Sequence, residues 1–423
     1  MKRRQFLTLG AAAGFAATLA ACSDGSGGGG GGGQQQVRYG HWDNGSAQAK
    51  YAALFEAFMA ENDDIELLQE FASFDAFQER MTTQIAGGEV SDIFWIAAPQ
   101  ILAYGQAGIY HDLEELPGFD FESLDAGILD RLRLDGKLTT LPVGLITPAF
   151  RWNQTYLDAI GAAAPETFTW DSTAEFLRDY TANNPDGNKG IFYHAGHDLT
   201  LDAWLRQHGD GLWTEDGKLG ASIESISDYV NWWEKLRTDE ITLSIEEQGG
   251  ISTSWNELGT RVLADIGSHN QILEAAAVFP DFELKQVPTP VAADAVAGHA
   301  FTYFVRLGVY KDVPEERLEA IGRVLDYNLN DADFITELGP VQGTPASSLQ
   351  REALEGTEDP NIQQANSVTD AVLAQEMRPR FEAPPNANTW RRHYDAALEK
   401  VVLGQASITE AITEFHTTVS GSL

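Results

Sequence analysis

Two hydrophobic periods alternate along residues 37–107, and this alternation restricts the fold more than any other feature of the chain. Val37 to Trp42 reads as a strand. Tyr51, Leu54, Phe55, Phe58 and Met59 then fall at i, i+3, i+4, i+7 and i+8, the spacing of one helix face. Ile65 to Leu68 is strand-like. Phe74, Phe77, Met81 and Ile85 mark a second amphipathic helix that Gly87-Gly88 should stop. Asp92-Ile93-Phe94-Trp95-Ile96 is apolar on both alternating faces, as in a parallel strand covered from above and below. Residues 101–107 are helical again. Strand and helix in strict turn predict an α/β lobe.

Beyond that point the pattern loosens. A strand is expected in Lys137 to Val143, ending at Pro142, and helices in 171–180 (capped by Asp171 or Ser172), 226–236, 314–328, 366–377 and 389–403. Residues 261–266 lead into Gly267, and Phe301 to Val309 has the look of a strand. No internal repeat of 20–50 residues is visible.

The N-terminus is a separate matter. Lys2, Arg3 and Arg4 precede a small apolar stretch from Leu9 to Ala21, which is short for a membrane span, and Cys22 follows Leu19-Ala20-Ala21. Leu-Ala-Ala-Cys resembles a bacterial lipobox, and Arg3-Arg4-Gln5-Phe6-Leu7 resembles a twin-arginine export signal. Residues 1–21 are therefore expected to be a signal peptide. Residues 22–36 would be a lipidated cysteine and a tether, because 23–36 contain only Ser, Asp, Gly and Gln and can build no core. The expected place is the outer face of the cytoplasmic membrane, with the N-terminal lipid as the sole membrane contact.

Charge and cysteine usage narrow the chemistry. The 423 residues carry a net charge of −35, and removing Lys2, Arg3 and Arg4 takes it to −38. Such a surface repels nucleic acid and anionic lipid. Cys22 is the single cysteine, so neither an intrachain disulfide nor a cysteine metal site can form. No Gly-x-Ser-x-Gly, phosphate loop, His-Glu-x-x-His or calcium loop occurs, and no cofactor or metal is expected.

Several segments, in order, resemble the extracellular sugar-binding proteins of ABC importers. They are Ala86-Gly87-Gly88-Glu89 with Ser91-Asp92-Ile93-Phe94-Trp95; Tyr104-Gly105-Gln106-Ala107-Gly108-Ile109-Tyr110-His111-Asp112-Leu113; and Gly136-Lys137 with Leu141-Pro142. Trp152-Asn153, Pro165 to Asp171 and the closing stretch from Arg391 to Thr413 complete the series. The resemblance implies a two-lobe, periplasmic-binding-protein-like α/β fold with a hinge and an interlobe ligand cleft. It places 37–146 plus 300–340 in one lobe and 147–299 plus 341–423 in the other. It implies a monomer that captures a carbohydrate, an oligosaccharide, and delivers it to an ABC transporter permease, with no catalysis.

A sugar cleft needs exposed aromatic faces beside planar polar groups. Trp42, with Asp43 and Asn44, stands after the first strand, where open α/β sheets bind ligands. Trp255 sits in a polar loop. Similarity to the maltose-binding branch of the family implies ligand contact for Trp95 and Trp390, an aromatic position at His269, and second-lobe contact near His197-Asp198. Ala98-Pro99-Gln100 replaces a charged pair of that branch, and Gln100 is the polar candidate there. Ile146 replaces an acid, which puts maltose itself in doubt. Two alternatives stay open: a secreted, lipid-anchored polysaccharide-active enzyme, or the same fold binding a polyol or a polyamine.

Overall fold

The computed structural model describes residues 34–42, 47–251, 254–387 and 389–423, with only the backbone of Pro99. Cys22, the expected signal peptide and most of the expected tether lie outside these described residues. Ten strands matter here: β1 (Gln35–Trp42), β2 (Ile65–Ala72), β3 (Ile93–Ile96), β4 (Leu141–Ile146), β5 (Pro148–Asn153), β6 (Lys189–Ile191), β7 (Val262–Ser268), β8 (Leu284–Pro288), β9 (Tyr303–Val309) and β10 (Thr344–Pro345). They form two sheets, ordered β10-β4-β9-β3-β1-β2 and β8-β5-β7-β6.

The first sheet is mixed. β1 pairs in parallel with β2 and β3, in the registers Val37↔Leu67 and Tyr39↔Ile93, while β9 runs antiparallel between β3 and β4. Helices Gln48–Glu61 and Phe74–Gly87 are the crossovers that parallel neighbours require. The second helix ends as expected. Gly88 takes a left-handed conformation (φ 69°), and its N–H closes onto the carbonyls of Gln84 and Ile85. Trp95, Tyr39, Ile93 and Leu307 are fully buried at the centre of this lobe. The second lobe is built around Phe150, Leu177, Tyr229, Trp233 and Ile266.

Several expectations shift. β1 starts at Gln35, inside the stretch assigned to the tether, because Gln35 and Gln36 pair with Ile65 and Glu66 and Gln36 Nε2 donates to Glu66 at 3.0 Å. Strand β4 runs through Pro142 instead of stopping there. The ladder tolerates a residue without an N–H because the register slips beside it: Val305 faces Gly144 and Arg306 faces Pro142, which leaves Val143 as the bulged residue. The helix expected over 171–180 runs from Trp170 to Asn183, and Thr169 caps it in a reciprocal pair with Ser172. Residues 341–355, expected in the second lobe, belong to the first. β10 pairs with β4, and helix Ser348–Glu355 packs on helices Leu318–Asn330 and Ala332–Leu338.

The chain passes between the sheets at Thr147, again over 289–302, and a third time between helices Ser348–Glu355 and Pro360–Leu373, the latter lying on β8. Arg206 fixes the second passage. Its guanidinium donates to the carbonyls of Gly298, His299 and Ala300 and, on the other side, to those of Arg378 and Pro379. Among the described residues no helix is long and apolar enough to cross a membrane.

Candidate functional site

The carboxyl ends of β1 and β3 open onto a cleft between the two sheets, with a cavity of about 340 Å³. On the first lobe its wall is Trp42, Phe74 and the Ala97-Ala98 step after β3. Phe74 is 41 % exposed and meets Trp42 edge to face at 5.5 Å. On the second lobe the wall is Trp213, Trp255 and Trp390. Trp213 and Trp390 cross at 5.9 Å and 88°, and both are more than nine-tenths buried. Trp390 is thus a core residue of its lobe that shows one edge to the cleft.

Polar groups converge on the same space. Asp198 opens helix Asp198–Gln207, and its carboxylate lies 3.8 Å from the Arg391 guanidinium. Burial pushes this carboxyl up, but Arg391 and His197 outweigh it and hold it below the usual range. His197 stacks on His194 at 5.2 Å with planes 10° apart, and burial, with His194 adding to it, pushes the His197 imidazole down to about 4. Arg380 also lines the cleft. It donates to Asp202 at 2.8 Å, lies 3.5 Å from Glu382, and covers the faces of Phe301 and Tyr303. Glu382 in turn accepts from Arg306 of β9, so an ion-pair chain runs from one lobe to the other beside the cleft.

A second network holds the Ser268-Asn270-Gln271 side. Arg151 and Asp265 are wholly buried and paired at 2.7 Å, and Arg151 also donates to Ser268 O and Gln271 Oε1. Gly267 leaves room for this. A Cβ there would stand 2.4 Å from Gln271 Oε1 and 2.6 Å from Arg151 Nη2.

Of the residues singled out in the sequence, the fold brings Trp42, Asp198, Trp255 and Trp390 to the cleft. Asp43 and Asn44 lie outside the described residues. Three others are placed elsewhere. Trp95 has no exposed surface, and its indole N–H donates to Tyr39 Oη at 3.0 Å inside the first core. Gln100 ends the short helical turn Ala98–Gln100 and does not line the cavity. His269 is fully buried at the first passage between sheets. Thr147 N–H donates to its Nδ1 at 3.1 Å, so Nε2 carries the proton and faces Thr344 Oγ1 at 3.2 Å. Its burial pushes it down to about 3, so it serves the hinge as a neutral ring.

Phe74, Arg380 and Arg391 were not foreseen. Phe74 had a signal, since it opens the helix that follows a parallel strand. Arg380 had none, because residues 378–388 show no periodicity. Among the described residues no group of His, Cys, Asp and Glu is placed to hold a metal ion.

The profile of the bacterial extracellular solute-binding proteins matches residues 42–259, more than half of the chain. The chain belongs to that family. A binding protein of Brucella abortus (strain 2308) is 24 % identical over 299 residues, 66 % of this chain and 69 % of its own. A periplasmic solute-binding protein of Pectobacterium atrosepticum superposes with a TM-score of 0.80 at 18 % identity, over 91 % of this chain and 98 % of its own. A periplasmic oligogalacturonide-binding protein of Yersinia enterocolitica, solved with saturated digalacturonic acid, gives 0.80 at 16 % identity, over 90 % and 97 %. At these identities the two structures establish the shared two-lobe fold. The solute-binding protein's own ligand has to be read from its cleft.

Proposed function

We propose that this solute-binding protein captures a carbohydrate between its lobes and passes it, unaltered, to the permease of an ABC importer, while held at the outer face of the membrane through a lipid on Cys22. The observation that carries the reading is the composition of the cleft. Aromatic rings from both lobes (Trp42 and Phe74 against Trp255 and Trp390) face a space edged by Asp198, Gln271, Arg380 and Arg391. Rings take the C–H faces of a sugar, and fixed carboxylate, amide and guanidinium groups take its hydroxyls. The oligogalacturonide-binding neighbour supports the same class of ligand. The passages between sheets at Thr147, 289–302 and 356–359 support closure by hinge motion. The protein is read as a monomer without catalytic activity.

A thermal-shift screen against mono- and oligosaccharides tests this. A ligand at 100 times its Kd should stabilise the chain by about 2.7 kcal/mol. Stabilisation by a polyamine or a polyol, with none by any saccharide, would replace the sugar in this reading. Hydrolysis of labelled oligosaccharide would make the protein an enzyme.

A further inference from the structure

A second cavity, of about 430 Å³, lies between the lobes next to the cleft. Its first-lobe side is Ala47, Lys50 and Leu338; its second-lobe side includes Ala277, Phe279 and Phe282. Glu274 and Val341 line both cavities. The link is a helix face. In helix Gln271–Val278, Gln271 and Glu274 line the cleft, and Glu274 and Ala277 line the second cavity. Three residues at i, i+3 and i+6 share one face, and the run from Gln271 to Ala277 spans about 9 Å. At the junction Asn270 donates to Val341 O at 2.6 Å. The Asn270 Oδ1, on a side chain more than nine-tenths buried, has no partner among the described residues.

We infer that the cleft and the second cavity form one extended groove for a neutral oligosaccharide longer than a disaccharide, whose far end rests on Phe279 and Phe282. This rests on the carbohydrate reading and deepens it. The far cavity carries the chemistry of a sugar subsite: half-buried Phe279 and Phe282 rings with centroids 5.9 Å apart, beside the carboxylates of Glu274 and Asp359. Charge argues for a neutral ligand. Asp198, Glu274, Asp359 and Glu382 line the two cavities against Arg380, Arg391 and Lys50. Both guanidiniums already lie against carboxylates, Arg380 against Asp202 and Glu382, and Arg391 against Asp198. A uronate would meet an acid-rich wall in a chain that is strongly anionic throughout.

Calorimetry on the purified full chain, with neutral oligosaccharide ladders of one to about seven rings and an oligogalacturonide ladder beside them, tests this. Affinity is expected to rise at least tenfold from the disaccharide to longer neutral chains. Ala277→Trp, on an exposed helix position that fills the second cavity, should erase that gain and leave disaccharide affinity within twofold. Phe279→Ala should act in the same direction, with circular dichroism checking that it folds. Affinity that levels off at the disaccharide, or an Ala277→Trp chain that binds long oligomers like wild type, overturns the extended groove. Preference for the oligogalacturonides overturns neutrality. Unchanged sugar affinity in both variants, with weakened association to permease-containing vesicles, would make the second cavity a partner-docking surface instead. Binding of no saccharide at all overturns the carbohydrate reading itself, and this inference with it.

Discussion

Trp42 and Trp95 meet edge to face, with ring centroids 5.0 Å apart and planes at 87°. One ring lines the cleft and the other is sealed behind it, anchored through Tyr39 Oη to Asn328 Oδ1. The pair divides binding from support. Trp42→Ala is expected to weaken sugar binding tenfold or more, about 1.4 kcal/mol, with little change in melting temperature. Trp95→Ala should destabilise the first lobe by about 3–5 kcal/mol before any ligand is added. Calorimetry and melting curves on both variants check this; a Trp95→Ala chain as stable as wild type would contradict the assignment.

Trp390 combines both roles. It is 4 % exposed, packs at right angles on Trp213, and still borders the cleft. Trp390→Ala should therefore lose about 3–5 kcal/mol of stability and bind sugar more weakly, whereas Trp390→Phe should recover most of the stability. Loss of affinity alone, with an unchanged melting curve, would show that the ring is not part of the second core.

The parallel half of the first lobe was legible because its strands and helices carry clean periods, and the five elements from β1 to β3 fall where Val37, Tyr51, Ile65, Phe74 and Ile93 put them. The same logic placed Trp42, since a residue at the carboxyl end of a central parallel strand has to face the ligand side. Trp95 shows the limit. It stands on the neighbouring strand, but alternation along β3 cannot tell which face looks at a core and which at a cleft when both are buried. The place of His269 is hidden in the sequence for a different reason. Only the return of β10 to the first sheet puts Thr344 against it, and a two-residue strand leaves no pattern in a sequence. Arg380 likewise gains its role from Asp202, far away along the chain.

The buried Arg151–Asp265 pair should be costly to break singly. Arg151→Leu leaves Asp265 without its countercharge in a site with no solvent exposure, and about 3–5 kcal/mol of stability should go. The double variant Arg151→Leu/Asp265→Leu should recover a large part of that, since a matched apolar pair leaves no buried charge. Urea titrations of the three variants measure it. Equal losses in single and double variants would mean that the bonds from Arg151 to Ser268 O and Gln271 Oε1 outweigh the ion pair.

The proposed lipid anchor turns on Cys22. Wild type expressed in a bacterium should partition with membranes and shift in mass by the lipid and the lost leader, and Cys22→Ala should remain unprocessed or appear in the soluble fraction. Ligand affinity of the soluble variant should match wild type, because among the described residues the cleft draws on none before Trp42. Identical soluble fractionation of the two proteins would remove the anchor from the functional reading.

Acid should destabilise the chain through two buried imidazoles. Burial holds the His269 imidazole down at about 3 and, with His194 adding to it, the His197 imidazole at about 4, both below the ordinary 6.5. A depressed pKa means that the unfolded chain binds protons which the folded one refuses. The stability each ring contributes is therefore complete above about pH 6.5 and is lost as pH falls towards the folded value, by up to about 1.4 kcal/mol per pH unit for each ring. Protonated His269 can no longer accept from Thr147 N–H, so the first passage between the sheets loses a bond just where the lobes must pivot. His269→Gln is expected to be less stable than wild type at pH 7.5 but to lose stability less steeply between pH 6.5 and 4, with the carboxylates contributing equally to both. Urea melts at four or five pH values give the two slopes. Parallel slopes would show that His269 does not carry the acid sensitivity.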